Sequence, residues 1–514
     1  MTTRRAKSPG FRSSRYNFWV PIPAGGVLYN ARSGASIRLA GDDAASLAAL
    51  LCGPPREVAT TAIPRALVAG LRRGGFLVER AFDELASIRE QYWLARGRTP
   101  MVLTLTTTQD CNLGCYYCYE SRSKAALEAR DVPAIVAWVE ERLAASGKTG
   151  IHVDWYGGEP LLNPAFIEQA SEALQALCAR LRIGYSASII SNGTRWPDDV
   201  ASFIRRHRIR QAQISFDGLK AHHDKRRRYR RGFAPQPDSS SFDEAVCVVD
   251  ALLDCVRVDV RLNVDAGNQG DLEGFIAFCQ ARGWFDRAFP CAFQLARISD
   301  YSDRAKFLGR SKISEEDFEK VRERARALVP QEATLDETTS RSTYPLPRTS
   351  VCAALADDSV VVGADGHHYR CGLQVGEKGR AVGLRDGAGD LAPGPDAAWW
   401  ETFDPTLRPN CSRCSFLPVC WGGCPKKHLE GDDHCCTSRA SSGARRCRRR
   451  SRGGSAWSCR RRSLRSPSRI SFAARDAGGG PRGRTAGLGI SRGRRATNDA
   501  IQYPLTVGLL DNLE

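Results

Sequence analysis

Between Met101 and Ala296 the apolar positions fall into six short runs, each followed by a stretch with helical spacing. The runs are VLTLTT (102–107), IHVDWY (151–156), YSASIIS (185–191), AQISF (212–216), VRVDVRLNV (256–264) and AFQLA (292–296). Between them, VPAIVAWVEERLAAS, AFIEQASEALQALCARL, DDVASFIRRH, FDEAVCVVDALLDC and LEGFIAFCQARG repeat apolar residues at the three-to-four spacing of helices with one buried face. Strand and helix in regular alternation predict an α/β fold with a parallel sheet closed, or partly closed, into a barrel. Such barrels carry their chemistry at the C-terminal ends of the strands.

The pattern differs on either side. Residues 1–95 begin with the extended pieces YNFWVPI and GVLYNARSG, then DDAASLAALLCG and IPRALVAGLRRGGFLV, predicting a short β-meander leading into two helices. Gly74 and Gly75 stop the second helix, and a charged helix from about Ala81 to Ala95 links this α+β unit to the barrel. Residues 297–350 read as a charged, mostly helical connector. Residues 351–436 have poor periodicity and dense Cys and Gly, as in a small domain held by metal rather than by a core.

Composition sharpens this division. Of the formal charge of +18, residues 437–514 carry +14, from 18 Arg, no Lys and four acids, which leaves +4 on the first 436 residues. The body is nearly neutral, so nothing there marks a nucleic-acid groove. The tail reads equally as a disordered basic segment and as a shifted reading frame of a GC-rich gene, and no function is assigned to it. No run of about 18 apolar residues predicts a membrane span. The N-terminus lacks the apolar stretch of a secretory signal. The expected location is therefore the reducing cytoplasm, where 19 cysteines point to metal ligation over disulfides.

Directly after the first barrel strand, TTQDCNLGCYYCYE spaces Cys111, Cys115 and Cys118 as C-x3-C-x2-C. Three thiolates on one loop can hold three irons of a [4Fe–4S] cluster, leaving the fourth iron to a small molecule. The other strand ends are polar: Gly157, Gly158 and Glu159 in DWYGGEP, Ser191 and Asn192 in SNGT, Ser215 and Asp217 in SFDG, and Asn263 in RLNVD. Together they outline a nucleoside-sized pocket with donors and acceptors.

Residues 101–296 resemble a radical S-adenosylmethionine (SAM) domain, with that family's cysteine spacing, an aromatic Tyr117 before the last cysteine, and GGEP verbatim. The resemblance implies a partial (β/α)6 barrel with Cys111, Cys115 and Cys118 as cluster ligands and SAM chelating the open iron. It places Gly157, Gly158 and Glu159 at the methionine amine and Tyr117 near the adenine. Ser191, Asn192 and Ser215 fall near the ribose and carboxylate, and Arg227 at a SAM-contacting position. The implied chemistry is one-electron reduction, SAM cleavage to a 5′-deoxyadenosyl radical, and hydrogen abstraction from a substrate. An electron donor such as flavodoxin or ferredoxin is implied; no catalytic base is legible.

A second constellation lies further on. Cys352 precedes Gly366 and Cys371, then Cys411, Cys414, Cys420 and Cys424 follow at spacings x2, x5 and x3, and then adjacent Cys435 and Cys436. Seven or more thiols exceed one tetrahedral zinc, and no histidine sits at finger spacing. The series resembles the SPASM domain of radical SAM peptide-modifying enzymes. That resemblance implies two auxiliary [4Fe–4S] clusters, one served by Cys352, Cys371 and Cys424, the other by Cys411, Cys414, Cys420 and one of Cys435 or Cys436. Cys52, Cys178, Cys247, Cys255, Cys279 and Cys291 read as small buried hydrophobes, and His222 and His223 as loop histidines beside the pocket.

The N-terminal unit resembles PqqD-like, winged-helix-like peptide-recognition elements, in which a leader peptide adds a strand to an open edge. The expected function is a radical SAM/SPASM maturase that installs a C–S or C–C cross-link in a ribosomally made precursor peptide or protein. Anaerobic sulfatase maturation to formylglycine is a second reading, but those enzymes carry Asp directly after the second SPASM cysteine, where this chain has Gly372. A zinc-stabilised, non-enzymatic binding scaffold is a third.

Overall fold

The computed structural model describes residues 10–431, apart from 23–24, 42, 121, 300–306, 310, 331–332, 334–343 and 386–390. Cys435, Cys436 and the tail from 437 lie outside the described residues.

The chain opens with β1 (Phe11–Ser13), β2 (Asn17–Ile22), β3 (Gly25–Asn30), β4 (Ser36–Ala40), α1 (Asp43–Leu51), β5 (Glu57–Val58), α2 (Arg65–Arg73), β6 (Leu77–Glu79) and α3 (Glu84–Arg98). The expected meander is β2–β3–β4. A second small sheet, β5–β1–β6, was not legible, because strands of two or three residues show no alternation. Helix α2 ends at Gly74, and Gly75 adopts a left-handed φ of 72° that lets the chain reverse into β6. Asp83 caps α3, accepting from Leu85 and Ala86 N–H at 3.0 Å.

The barrel strands β7 (Met101–Thr106), β8 (Gly150–Tyr156), β9 (Gly184–Ser191), β10 (Ile209–Phe216), β11 (Arg257–Val264) and β12 (Cys291–Arg297) are parallel neighbours in sequence order. This is the expected partial (β/α)6 barrel. The crossovers use α4 (Val132–Ser146), α5 (Pro164–Leu181), α6 (Val200–Arg206), α7 (Lys220–Arg226), α8 (Ser241–Leu252) and α9 (Leu272–Ala281). Their apolar faces bury Val139, Leu174, Ile204, Val249 and Phe275 against Val153, Ile189, Ile214 and Val260 of the strands. In the connector, α10 (Glu315–Leu328) adds Phe318 and Val321 to that core.

The cysteine-rich region departs from expectation. Its strands β13 (Val360–Val362), β14 (His368–Tyr369), β15 (Gly383–Arg385) and β16 (Leu391–Pro393) extend the barrel sheet, with β13 parallel to β7, to ten strands. It also has an apolar core, shared with the N-terminal unit and α3: Tyr16, Tyr29, Ile88 and Tyr92 pack with Leu355, Trp400, Phe403 and Trp421. Residues more than 250 positions apart supply this core, so local periodicity could not reveal it. Among the described residues no helix is long and apolar enough to cross a membrane.

Candidate active site at the mouth of the barrel

The loop after β7 is held from below by its neighbour. Gly158 N–H donates to the Thr108 carbonyl at 2.9 Å and Glu159 N–H to the Asp110 carbonyl at 3.0 Å. That approach requires the two glycines. A Cβ on Gly157, whose φ is 138°, would lie 2.3 Å from Thr108 O, and one on Gly158 would lie 2.3 Å from Asp110 O.

Glu159 is fully buried and joins three segments. It accepts from Leu161 N–H at 3.2 Å, Ser191 Oγ at 3.0 Å and Asn192 N–H at 2.7 Å. Burial pushes its carboxyl up to about 7, against the pull of those donors. Asn192 in turn donates to Asn112 Oδ1 at 2.9 Å and approaches Cys111 Sγ at 3.7 Å, while Leu113 N–H reaches that sulfur at 3.4 Å. Cys111, Glu159, Ser191 and Asn192 thus form one buried cluster.

A second cluster stands beside Cys115. Tyr117 donates its hydroxyl to Asp217 Oδ1 at 2.6 Å and accepts from Arg227 at 2.8 Å and Asn263 at 3.3 Å. Burial raises the Cys115 thiol, and the Arg227 guanidinium offsets part of that rise. Burial likewise raises Cys111, and raises Cys118 to about 12, with Cys115 adding to both. Sequence reasoning missed the next shell. The Arg226 guanidinium bridges Asp217 at 3.0 Å and Asp265 at 3.1 and 3.2 Å, and Tyr116 donates to Asp265. Tyr119 and Tyr156 share a hydrogen bond beside Glu120. Ser215, half-buried, is the next-to-last residue of β10, opposite Arg261. A buried cation adjoining two strand-end carboxylates is the signal that could have found Arg226: it sits next to Arg227 in KRR.

The histidines correct their expectation. His222 and His223 lie on the helix α7, where His222 meets Asp271 at 2.7 Å and His223 is buried against Phe216 and Phe242. Of the single cysteines, Cys178, Cys279 and Cys291 are buried, Cys52 and Cys255 half-buried, and Cys247 exposed, so the buried-hydrophobe reading fails for Cys247.

The charges of Cys115 and Cys118 add to the rise of the Cys111 thiol, and that of Cys115 to the rise of Cys118. Arg227, buried beside Cys115, keeps an unpartnered Nε–H, a vacant donor for an anionic group. In the cysteine-rich region, burial and then the charges of Cys424 and Cys352 raise the Cys371 thiol. Cys411 and Cys420 lie in two short helical turns, Pro409–Ser412 and Leu417–Cys420, and Cys414 in the link between them, with Phe416 N–H directed at Cys414 Sγ at 3.4 Å. Among the described residues, no group of three or more His, Cys, Asp or Glu side chains is placed so that it could hold a metal ion.

The N-terminal unit adds a groove of about 540 Å³ between α2 and the edge strand β6. Phe11, Leu77 and Phe82 form its apolar floor. Arg72 stacks over Phe11 at 4.6 Å and Arg32 over Phe82 at 5.0 Å.

Residues 105–236 match the family model described as the Radical SAM superfamily. The serine-type anaerobic sulfatase-maturating enzyme of Klebsiella pneumoniae is 26% identical over 368 residues, spanning 68% of this chain and 90% of its own length. The sporulation killing factor maturation protein SkfB of Bacillus subtilis is 26% identical over 187 residues, 36% of this chain and 41% of that protein. The solved structure of native anSMEcpe with bound AdoMet shares the fold at a TM-score of 0.50 and 17% identity, over 67% of this chain and 97% of that one.

Proposed function

Because this chain is a radical SAM enzyme through residues 105–236, with SAM and iron–sulfur as its cofactors, we propose that it is a maturase acting on a ribosomally made peptide or protein. Cys111, Cys115 and Cys118 would hold the SAM-binding cluster. When bound and reduced by one electron, the cofactors supply a 5′-deoxyadenosyl radical that removes a hydrogen atom from the substrate. The protein's own part is positional. Gly157 and Gly158 let the β8 loop close on the cysteine loop, Glu159 ties that loop to Ser191 and Asn192, and Arg227 and Tyr117 present a cation and a ring beside Cys115. Ser215 completes the strand-end lining. Cys352, Cys371 and Cys424, and separately Cys411, Cys414, Cys420 and one of Cys435 or Cys436, would hold two auxiliary clusters. A flavodoxin or ferredoxin would supply the electron.

The observation that carries the peptide assignment is the open edge of β6. The bonded pairs Gly10–Arg80 and Ser14–Phe76 flank Arg12↔Val78, so Leu77 and Glu79 turn their N–H groups away from β1. That edge borders the groove lined by Arg32, Arg72 and Arg73, which suits an acidic leader segment added as a strand. The two relatives, both maturation enzymes by name, support a polypeptide substrate, and a C–S or C–C cross-link is the product we favour. Sulfatase-type maturation is the second reading, favoured by the similarity over 90% of the Klebsiella enzyme and opposed by Gly372 after Cys371.

The test is anaerobic reconstitution with SAM, dithionite and the short peptide encoded beside the gene. About 12 iron and 12 sulfide per chain are expected, with a product lighter by a pair of hydrogens and resistant to thiol alkylation or to sequencing at one residue. Cys115→Ala should abolish 5′-deoxyadenosine while leaving about 8 iron in the auxiliary sites. Undiminished SAM cleavage in that variant sinks the cluster assignment; an aldehyde on a sulfatase-derived peptide favours the second reading.

A further inference from the structure

The run Lys225–Arg231, KRRRYRR, holds six cations in seven residues. Arg226 and Arg227 are buried and engaged with Asp217, Asp265 and Tyr117. The others have no part in the site described, yet they lie against it. Tyr229 bridges Leu113 in antiparallel fashion, Gly114 N–H donates to the Arg228 carbonyl at 2.8 Å, and Arg230 N–H donates to the Asn112 carbonyl at 2.9 Å. After the end of α7, residues 228–230 are therefore tied to the cysteine loop by an isolated antiparallel bridge. Gly114, directly before Cys115, lies under both arginine stems: a Cβ there would meet Arg230 Cγ at 3.5 Å and Arg228 Cγ at 3.9 Å. From the other side of the loop, exposed Arg122 donates to the Cys115 carbonyl at 2.7 Å.

The outcome is a cationic collar around the cysteine loop. Arg122, Arg228 and Arg231 are exposed, and Arg230 is partly neutralised by Asp110. Of the acids beside these arginines in sequence, Glu120 is hydrogen-bonded to Tyr156, and Asp224 accepts from Ser240 Oγ at 2.7 Å and Phe242 N–H at 2.9 Å. Concentrating exposed guanidinia on one face costs repulsion, and the barrel fold does not need it. What such a face provides is steering and weak, salt-sensitive capture of an anionic partner.

We propose that this collar is the docking surface for an acidic one-electron donor protein of the flavodoxin or ferredoxin type. The inference rests on the reading of Cys111, Cys115 and Cys118 as cluster ligands. On that reading the reducing electron has to reach the cluster on that loop, and a protein seated on Arg122 and Arg228 contacts the loop's own backbone partners. Small, charge-guided interfaces are the kind that electron-transfer partners use. The polar strand-end groups Ser191, Asn192 and Asp217 are buried, whereas Arg122, Arg228 and Arg231 are exposed. An acidic substrate segment has its own complementary arginines in the groove beside β6.

The experiment uses the full-length, anaerobically reconstituted enzyme, reduced flavodoxin as probe, and the double variant Arg228→Glu/Arg231→Glu. Arg228→Gln serves as a milder second variant, and Arg73→Glu in the groove as a control. Flavodoxin binding by the double variant should weaken about tenfold or more at low salt, with a flatter salt dependence. Flavodoxin-driven 5′-deoxyadenosine formation at limiting donor should fall by the same factor. Dithionite-driven formation should stay within about twofold, and the thermal transition should not move. Equal flavodoxin affinity in wild type and double variant overturns the proposal. So does a loss confined to the peptide substrate or to an added oligonucleotide. Failure of dithionite to drive SAM cleavage in the wild type would instead overturn the cluster reading, which the flavodoxin binding measurement does not depend on.

Discussion

Replacing Gly158 with alanine isolates the contact that seats the cysteine loop. The added Cβ would stand 2.3 Å from Asp110 O, 2.8 Å from Asp110 C and 2.9 Å from Gln109 O, where ordinary contact begins at 3.4 Å. All three are backbone atoms, so no rotamer change relieves the clash. The loop must retreat by about 1 Å, which breaks or stretches the bonds Gly158 N–H to Thr108 O and Glu159 N–H to Asp110 O. Two hydrogen bonds at about 1 kcal/mol each, with overpacking of about 1–3 kcal/mol, sum to roughly 3–5 kcal/mol. Gly158 does not have a left-handed φ, so the effect is steric and not conformational. Gly114→Ala is the internal control: on the same loop, its Cβ would meet nothing closer than the flexible Arg230 Cγ at 3.5 Å. Anaerobic calorimetry should place the barrel transition of Gly158→Ala roughly 10 °C below wild type, with weakened SAM binding, and Gly114→Ala within about 0.5 kcal/mol of it. Equal melting of Gly158→Ala and wild type, or equal losses in both variants, refutes the argument.

Arg226→Gln should cost about 3–5 kcal/mol in urea unfolding, because it strands Asp217 and Asp265 as buried carboxylates without their shared cation. Arg226→Lys should recover only part of that, since one ammonium cannot fork across both acids. His368, buried between Trp138 and the β15 strand, has its imidazole pushed down to about 4 by burial and then by Arg385, Arg142 and His367. A folded pKa below the unfolded value of about 6.5 means that the unfolded chain binds the proton more readily. Stability is therefore lost as pH falls from about 6.5 toward 4, by about 3 kcal/mol, and levels off below that. His368→Gln should flatten this slope in unfolding curves taken across that range.

Much of the chemistry was legible because it is written in local spacing. The C-x3-C-x2-C loop, GGEP and the strand-end polar residues are fixed by their distance from strands whose apolar runs announce them. The order β7 to β12 follows from the same alternation, since short parallel crossovers leave few other arrangements.

Three features were settled only when the chain closed on itself. Arg226 became a bridge between Asp217 and Asp265 because β10 and β11 end side by side, a fact of sheet register. Glu159 turned toward Ser191 and Asn192, three segments meeting at one buried carboxylate. The cysteine-rich region gained Tyr16, Tyr29 and Tyr92 as core partners, although in sequence it reads as having no core. Spacing along a strand or loop is set by covalent geometry, and a sequence carries it outright. Which distant side chains share a buried space depends on how the whole sheet and its appended units pack, and no local pattern encodes that.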